Sequence, residues 1–184
     1  MDTLSRPNPA ERIRKLSRTL ALACLVLIVA LPLAVALFWD WAEPATLAAR
    51  SNLAPDSIHA PLLAWQRLAG ALLAELPLVL LLAGVWEARK CFLLFARGHI
   101  FTTEAVQGLS RFAAWALASA IAAIVAGAAV SVVITANNPV GMRHLAIGIG
   151  SDQVLMVFFA GMVWLLAAVI GQGQALAEEN DAFV

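Results

Sequence analysis

Apolar residues fall along this chain in four long runs, separated by shorter segments that hold most of the charged and turn-forming residues. An α-helix needs roughly 20 predominantly apolar residues, within a range of about 17–25, to cross the hydrocarbon core of a bilayer. All four runs meet that requirement, and Glu75 is the one charged residue inside them. We therefore predict an all-α polytopic membrane protein with a single membrane domain and four transmembrane helices, at about residues 20–38, 68–86, 112–134 and 154–170.

The composition favours a membrane protein over a soluble domain. Hydrophobic residues make up 62% of the 184 residues and charged residues 13%, whereas soluble domains average about 45–50% apolar and about 25% charged. The formal net charge is zero, so no global basic field favours nucleic acid, and we expect no direct nucleic-acid binding. The first run exceeds the roughly 7–15 apolar residues of a signal-peptide core, which indicates a retained span.

Lysine and arginine counts predict the orientation of the four spans. Nine of the twelve basic residues lie in the N-terminal segment or between the second and third spans, and three lie in the other two connections. Because basic residues concentrate on the cytoplasmic side, both termini are predicted to be cytoplasmic. We expect a multi-pass protein of the bacterial inner membrane, with residues 87–111 and the acidic tail 171–184 in the cytoplasm. On the outer side, residues 145–150 are apolar enough to extend the fourth span.

The segment between the second and third spans contains the signals of a helix end, a turn and a helix start. No proline or glycine follows the second span until Gly98, which fits a C-terminal cap because glycine adopts a left-handed conformation at little cost. Thr102 is predicted to cap the next helix through its hydroxyl, and Glu104 would then lie in the first turn, where the helix dipole favours a carboxylate. Phe101 and Val106 flank this cap at the spacing of a hydrophobic staple.

Apolar stripes on both sides of this turn predict how the two helices pack. Residues recur at helical spacing at Ala88, Cys91, Phe92 and Phe95 before the turn and at Val106, Leu109 and Ala113 after it. We expect the stripes to face each other, so that the second and third helices form an antiparallel hairpin projecting into the cytoplasm. Its basic residues would offer a platform to a partner or to anionic lipid, although a stable turn alone also explains the pattern.

Two motifs at the predicted cytoplasmic side carry a family resemblance. The turn reads Phe95-Ala96-Arg97-Gly98-x-x-Phe101-Thr102-x-Glu104-x-Val106-x-x-Leu109, and the chain ends in an apolar-x-Glu-Glu-x-Asp run over residues 176–181. Together with the four spans, these motifs resemble the DUF2975 family, bacterial membrane proteins of uncharacterised function. The resemblance covers nearly the whole chain and implies no known enzyme activity. Members are often encoded beside a small helix-turn-helix DNA-binding protein of the Cro/C1 type, which implies a membrane protein that pairs with or sequesters such a regulator.

Catalytic and metal-binding chemistry has little support in the sequence. The three histidines, His59, His99 and His144, are predicted on different sides of the membrane. The chain has no HExxH motif, no phosphate-binding glycine loop and no nucleophile elbow. Cys24 and Cys91 lie in separate apolar segments, as is typical of packing residues. We predict that the protein is not an enzyme and uses no metal or cofactor.

Glu75 supports two interpretations. Ionisable residues in lipid are costly and usually functional, so Glu75 is a candidate intramembrane functional residue, the protonatable group of a small transporter or immunity-type protein. Pro77 follows closely and would kink the helix nearby. In the structural interpretation, Glu75 lies roughly 10 Å below the outer boundary and reaches interfacial water or pairs with Arg67. We favour the structural interpretation, because polar groups also bind membrane helices together.

Small residues recur at every fourth position of the third span, and this spacing lets helices approach closely. The stripe consists of Ser119, Ala123, Gly127 and Ser131. We expect Gly70 and Ala74 of the second span to face it. Packing within one chain is favoured, and a homo-oligomer that uses the stripe as a dimer seam is the alternative.

The predicted function is interaction, because two polar motifs would share the cytoplasmic side. The candidate partner-binding residues are Arg97, Gly98, Phe101, Thr102, Glu104, Glu178, Glu179 and Asp181. The acidic tail would dock on the basic hairpin or offer its carboxylates to a basic partner. The leading hypothesis is a regulatory inner-membrane protein whose cytoplasmic face engages or sequesters a small Cro/C1-type regulator. The alternatives are a transporter or immunity-type protein that uses Glu75, and a structural subunit of a membrane complex.

Overall fold

Long helices make up most of the fold. The computed structural model describes the backbone of residues 9–98 and 102–181 and the side chains of residues 11–98 and 102–176. These residues form no strand and five helices: α1 (Pro9–Trp41), α2 (Pro44–Arg50), α3 (Ala64–Ala96), α4 (Thr103–Thr135) and α5 (Ser151–Asp181). Four of them, α1, α3, α4 and α5, are long and apolar enough to cross a membrane. An all-α protein with four candidate membrane spans is therefore confirmed.

The long helices extend well beyond the apolar runs. α1, α3 and α4 have 33 residues each and α5 has 31. At about 1.5 Å per residue, each is nearly 50 Å long, whereas the hydrocarbon core is about 30 Å thick. Each apolar run therefore lies inside one longer helix, and the remaining turns carry the polar residues past the ends of the run.

Neighbouring long helices pack antiparallel, α1 on α3, α3 on α4, and α4 on α5. Arg67, near the start of α3, donates to the carbonyl oxygen of Trp39 near the end of α1 at 2.8 Å. Arg14, near the start of α1, donates to the carbonyl oxygen of Ala96 at the end of α3 at 3.3 Å. Each guanidinium thus lies at the negative end of the neighbouring helix dipole, which favours the antiparallel pair.

This order gives the molecule two chemically different ends. The hairpin end holds the start of α1, the α3–α4 turn and the end of α5. The loop end holds α2, the start of α3, and the α2–α3 and α4–α5 loops. α1 and α5 form the two edges of the helix array, and both expose rows of large apolar side chains, as lipid-facing helices do.

Small residues let α3 and α4 approach closely. Gly84 faces α4, where a Cβ would come within 3.1 Å of the Trp115 Cβ and 3.3 Å of Phe112. Nearer the loop end, Ser119 Oγ donates to the carbonyl oxygen of Pro77 at 2.7 Å. Close backbone approach and an interhelical hydrogen bond are the contacts that hold helices together in lipid, where burial of apolar surface alone gains little.

The expectation that Gly70 faces the small-residue stripe of α4 is wrong. Gly70 lies under the indole ring of Trp39, which a Cβ at this glycine would overlap. Trp39 itself belongs to a small apolar core with Leu47, Val130 and Ile134. A large residue on α1 thus fills the space that the glycine leaves, so Gly70 itself packs against α1.

The expected helical extension of the fourth span over residues 145–150 is also wrong. The α4–α5 loop runs back along α4 in an extended conformation, and α5 begins after it. The amide of Ala146 donates to Ser131 Oγ at 2.9 Å, and the Asn52 side chain lies where a Cβ of Gly148 would be. Small residues face the protein and large apolar residues face outward with a period of two, which is the pattern of extended chain.

Buried amide side chains join the two loops at the loop end. Gln66 is fully buried, its Nε2 donates to the carbonyl oxygen of Val133 at 2.8 Å, and its Oε1 accepts from the amide of Leu63 at 2.9 Å. Asn138 Nδ2 donates to the carbonyl oxygen of Ser57 at 2.7 Å. These bonds satisfy backbone groups that helix ends and loops leave unpaired.

Candidate functional site

The α3–α4 turn has the two caps that its sequence predicts. Gly98 has φ +92°, and its amide donates to the carbonyl oxygen of Phe95 at 3.0 Å, so the glycine C-cap is confirmed. Thr102 Oγ1 accepts from the amide of Ala105 at 3.3 Å, which confirms the N-cap. Phe101, the expected staple residue and a candidate partner-binding residue, lies outside the described residues. The turn is therefore fixed by local chemistry at both of its sides.

On α4, the residues that face α3 in the hairpin lie one position before the residues of the expected stripe. Cys91 Sγ lies 3.6 Å from the carbonyl oxygen of Ala105 and occupies the place that a Cβ of Gly108 would take. Val106, expected to face Cys91, lies instead against α5, 3.5 Å from the position of a Cβ on Gly171. Because α4 packs between α3 and α5, its smallest residues take the closer α3 contact and its valine takes the α5 contact.

A charged cleft of about 430 Å³ lies between α3 and α4 at the hairpin end. It is termed the hairpin cleft, and its charged lining consists of Glu87, Lys90, Arg97, Glu104 and Arg111. Of the predicted partner-binding residues, the structure brings Arg97 and Glu104 together in this lining and places Gly98 and Thr102 in the adjoining turn. The cleft is therefore a concave surface that two of the predicted residues share.

The charges of the hairpin cleft are only partly paired. Glu87 accepts a hydrogen bond from Lys90 Nζ at 2.5 Å, and its second carboxylate oxygen lies 3.9 Å from Arg111 Nη1. No described residue forms an ion pair with Arg97 or Glu104, and both are exposed. The cleft thus presents one cation and one anion that can accept an external partner without breaking an internal ion pair.

The spacing of the cleft residues is a signal that could have identified them from the sequence. Glu87, Lys90 and Arg97 are separated by three and seven residues, and Glu104 and Arg111 by seven. Residues three, four and seven apart share one face of a helix. Sequence reasoning selected the residues nearest the turn and counted Lys90 and Arg111 only among the basic residues of the hairpin platform. It missed Glu87, and all three need the α3–α4 pairing before they converge.

The acidic tail continues α5 beyond the level at which α4 begins. The α5 backbone is helical to Asp181, and Gly171 lies at the level of Val106 on α4. From this level, the ten residues of α5 that follow Gly171 extend about 15 Å toward the hairpin end. In the same direction, the first residue of α4 lies only about 5 Å away. The end of α5 therefore extends about 10 Å beyond the start of α4. It contains Glu178, Glu179 and Asp181, whose side chains lie outside the described residues.

Glu75 is half-buried on α3, and no described residue forms an ion pair with it. The expected pair with Arg67 is wrong, because Arg67 Nη1 donates to three carbonyl oxygens at the end of α1, at 2.8, 3.0 and 3.2 Å. Ala74 and Pro77 line a cavity between α1 and α4, and Glu75 is not part of that lining. The carboxylate therefore does not contribute to this cavity.

The four small residues of α4 have three different environments. Ser119 bonds to α3, and Ser131 accepts a bond from the α4–α5 loop. Ala123 and Gly127 line the cavity between α1 and α4, and a Cβ at Gly127 would meet no atom within 4 Å. The stripe thus combines two interhelical or loop contacts with an open surface between them.

The histidines do not converge on a shared site among the described residues. His59 and His144 both lie in loops at the loop end, and His99 lies outside the described residues. Within the described part of the chain, no group of three or more histidine, cysteine, aspartate or glutamate side chains has the arrangement of a metal site. The hairpin cleft and the cavity between α1 and α4 are concave surfaces whose linings include charged side chains.

Comparison with known proteins shows the family. The DUF2975 family, described as "Protein of unknown function (DUF2975)", matches residues 54–184, which is most of the chain and includes α3, α4, α5 and both motifs of the hairpin end. The chain therefore belongs to the DUF2975 family, and the resemblance carried by the turn and the tail is confirmed. No curated protein and no solved structure matches the chain.

Proposed function

We propose that this DUF2975 protein is a regulatory protein of the bacterial inner membrane whose hairpin end faces the cytoplasm and engages a small helix-turn-helix regulator of the Cro/C1 type. The hairpin cleft is the observation that carries the proposal, since it gathers five charged side chains at one end of a largely apolar molecule. Charged groups arranged in this way select a partner by electrostatic complementarity.

The distribution of basic residues supports a cytoplasmic hairpin end. Among the described residues, eight of the eleven lysines and arginines lie in segments at this end, and three lie at the loop end. Two of those three have structural contacts, because Arg67 binds the end of α1 and Arg50 stacks on Phe38. The positive-inside rule then favours a cytoplasmic hairpin end.

The chemistry of the hairpin end suits a DNA-binding partner. Helix-turn-helix proteins hold DNA phosphates with lysine and arginine side chains, so they carry a basic surface. The end of α5 would offer Glu178 and Glu179 to that surface, while Arg97 and Glu104 would fix the orientation of the complex. Because the acidic tail would occupy the surface that binds phosphate, the bound regulator would be kept from DNA.

Co-purification tests this proposal. The full-length protein, solubilised from membranes, is expected to retain a Cro/C1-type protein where the neighbouring gene encodes one. Glu178→Lys combined with Glu179→Lys is expected to release that protein, and Arg97→Glu is expected to weaken its retention. Arg143→Glu is the matched control, because Arg143 is exposed at the loop end, and it is expected to retain the partner as the wild type does.

A second arm of the same experiment tests the competition with DNA. Excess operator DNA of the regulator is expected to displace it from the membrane protein, because both would bind one basic surface. Failure of the wild-type chain to retain the regulator contradicts the proposal. Equal retention by the wild type and the doubly substituted tail contradicts the role given to Glu178 and Glu179.

A further inference from the structure

A lateral groove opens near the loop end between α1 and α4, with α3 between them. It is termed the loop-end groove and has a volume of about 570 Å³, within the range of about 300–1,000 Å³ of small-molecule sites. Val35 and Phe38 of α1 line one side, Ala123 and Gly127 of α4 the other, and Pro77 lies between. Gly127 keeps the groove open, because a Cβ there would meet no atom within 4 Å.

The depth of the groove corresponds to one leaflet of a bilayer. Its lining on α1 begins at Leu31, ten residues before the end of α1 at Trp41. Ten helical residues span about 15 Å, which is half of a hydrocarbon core about 30 Å thick. A transmembrane helix would need a contact surface along both leaflets, whereas an acyl chain of a single lipid needs only one.

Two opposite charges line the mouth of the groove. Arg50, at the end of α2, has its Cζ 4.6 Å from the centroid of the Phe38 ring, which holds the guanidinium above the apolar wall. Asp152, in the first turn of α5, lines the same mouth. Both are exposed, and in the described structure no ion pair joins them. The mouth therefore offers a separate cation and anion above an apolar slot.

We propose that the loop-end groove binds one zwitterionic aminophospholipid of the phosphatidylethanolamine type. The lipid phosphate binds Arg50, the ammonium group binds Asp152, and an acyl chain lies against Phe38 and Gly127. This site lies apart from the hairpin cleft, and its binding chemistry is the same whichever end of the molecule faces the cytoplasm. It is therefore independent of the function proposed above.

The headgroup chemistry distinguishes phosphatidylethanolamine from other bilayer lipids. Phosphatidylglycerol has the phosphate for Arg50 but no cation for Asp152. Phosphatidylcholine has a cation, but its quaternary ammonium has no N–H to donate to a carboxylate. Exposed ion pairs contribute at most about 1 kcal/mol, so each mismatch is expected to weaken binding by about fivefold.

Lipid retention by the full-length protein tests the site. The protein is placed in nanodiscs of equimolar phosphatidylethanolamine, phosphatidylglycerol and phosphatidylcholine, and the lipids that stay bound after release are counted by native mass spectrometry. One phosphatidylethanolamine per chain is expected, in about fivefold excess over either competitor. Gly127→Leu is expected to abolish retention, because the new side chain would fill the groove.

Controls separate loss of the site from loss of the fold. Gly161→Leu adds the same side chain to α5, where a Cβ also meets no atom within 4 Å, and it is expected to retain the lipid. Arg50→Gln and Asp152→Asn leave the groove open and change only exposed groups, and each is expected to reduce the preference for phosphatidylethanolamine. Retention by Gly127→Leu equal to that of the wild type overturns the site, and equal retention of all three lipids overturns the headgroup assignment.

Discussion

The loop end contains a buried network of uncharged polar side chains, whereas the hairpin cleft contains exposed charged side chains. Gln66, Thr135 and Asn138 of the loop end have at most 3% of their surface exposed, and each makes several hydrogen bonds. In the hairpin cleft, Arg97 and Glu104 are exposed and have no ion-pair partner among the described residues. The first arrangement joins helices and loops, and the second leaves charge available to another molecule.

Physical chemistry explains why a buried hydrogen-bond network and a set of charges available to a partner differ in their effect on stability. A buried polar group is costly unless every donor and acceptor is bonded, so a satisfied network tolerates little change. A charge that binds a partner must be reachable and not already paired, so it contributes little to stability. We therefore expect substitutions at the loop end to lower the free energy of unfolding, and matched substitutions at the hairpin end to leave it nearly unchanged.

Gln66→Leu is expected to have the largest effect on stability. It leaves the amide of Leu63 and the carbonyl oxygen of Val133 without their side-chain partner in a buried site, at a cost of about 2–3 kcal/mol. Gln107→Leu is the matched control, because Gln107 is an exposed glutamine in the lining of the hairpin cleft. Unfolding by denaturant in detergent micelles measures both, and equal losses for the two variants contradict the contrast between the ends.

Gly70→Ala and Gly108→Ala compare close packing at the two ends. At Gly70 the new methyl group overlaps the rigid indole ring of Trp39. At Gly108 it overlaps one side-chain atom, the Sγ of Cys91, which can turn away, and the carbonyl oxygen of Glu87 lies at an ordinary contact distance of 3.8 Å. Overpacking costs typically about 1–3 kcal/mol, and replacing a helical glycine by alanine gains about 1 kcal/mol. In the same unfolding measurement, we expect Gly70→Ala to lower the free energy of unfolding by about 2 kcal/mol and Gly108→Ala to leave it nearly unchanged. A larger loss at Gly108 than at Gly70 contradicts this ranking.

Arg67→Met and Arg14→Met compare the two arginines that bind the ends of neighbouring helices. Arg67 donates to three carbonyl oxygens of α1 at the loop end, and Arg14 donates to one of α3 at the hairpin end. Methionine keeps most of the apolar stem, so the change reports the lost bonds. We expect the free energy of unfolding to fall by about 1–1.5 kcal/mol in Arg67→Met and by about half as much in Arg14→Met. Thermal unfolding at low and high salt checks the result, and an equal loss for both variants excludes the ranking.

Thr102→Ala is expected to have a small and local effect, because it removes one N-cap bond at the hairpin end. Loss of an N-cap side chain costs about 0.5–1 kcal/mol at a half-exposed site. Thr103→Ala is the matched control, since Thr103 is the exposed first residue of α4 and does not cap it. Amide exchange of the first turn of α4 should accelerate in Thr102→Ala and not in Thr103→Ala; the reverse pattern contradicts the assigned cap.

Local chemistry made the hairpin turn predictable from the sequence. The caps at Gly98 and Thr102 depend on backbone geometry and on groups three residues away, so the sequence contains all the information that they need. The four long helices were predictable for a similar reason, because each follows from an uninterrupted apolar run. In all these cases the deciding residues lie close together along the chain.

Long-range contacts were not predictable in the same way. Gln66 bonds to a carbonyl 67 residues away, and Gly70 finds its partner in Trp39 of another helix. Membrane helices are apolar on all sides, so no polar face indicates which side packs against protein. The prediction for Val106 was wrong for this reason, because the apolar stripe alone does not distinguish contact with α3 from contact with α5.

The most direct test of the account is the side of the membrane on which the hairpin turn lies. Arg97→Cys and Val140→Cys, both at exposed positions of opposite ends, are introduced separately into a chain whose native Cys24 and Cys91 are replaced by serine. Intact spheroplasts are treated with a membrane-impermeant maleimide. We predict that Val140→Cys reacts at once and that Arg97→Cys reacts only after the membrane is permeabilised. Reaction of Arg97→Cys in intact spheroplasts would contradict a cytoplasmic hairpin end and with it the proposed binding face.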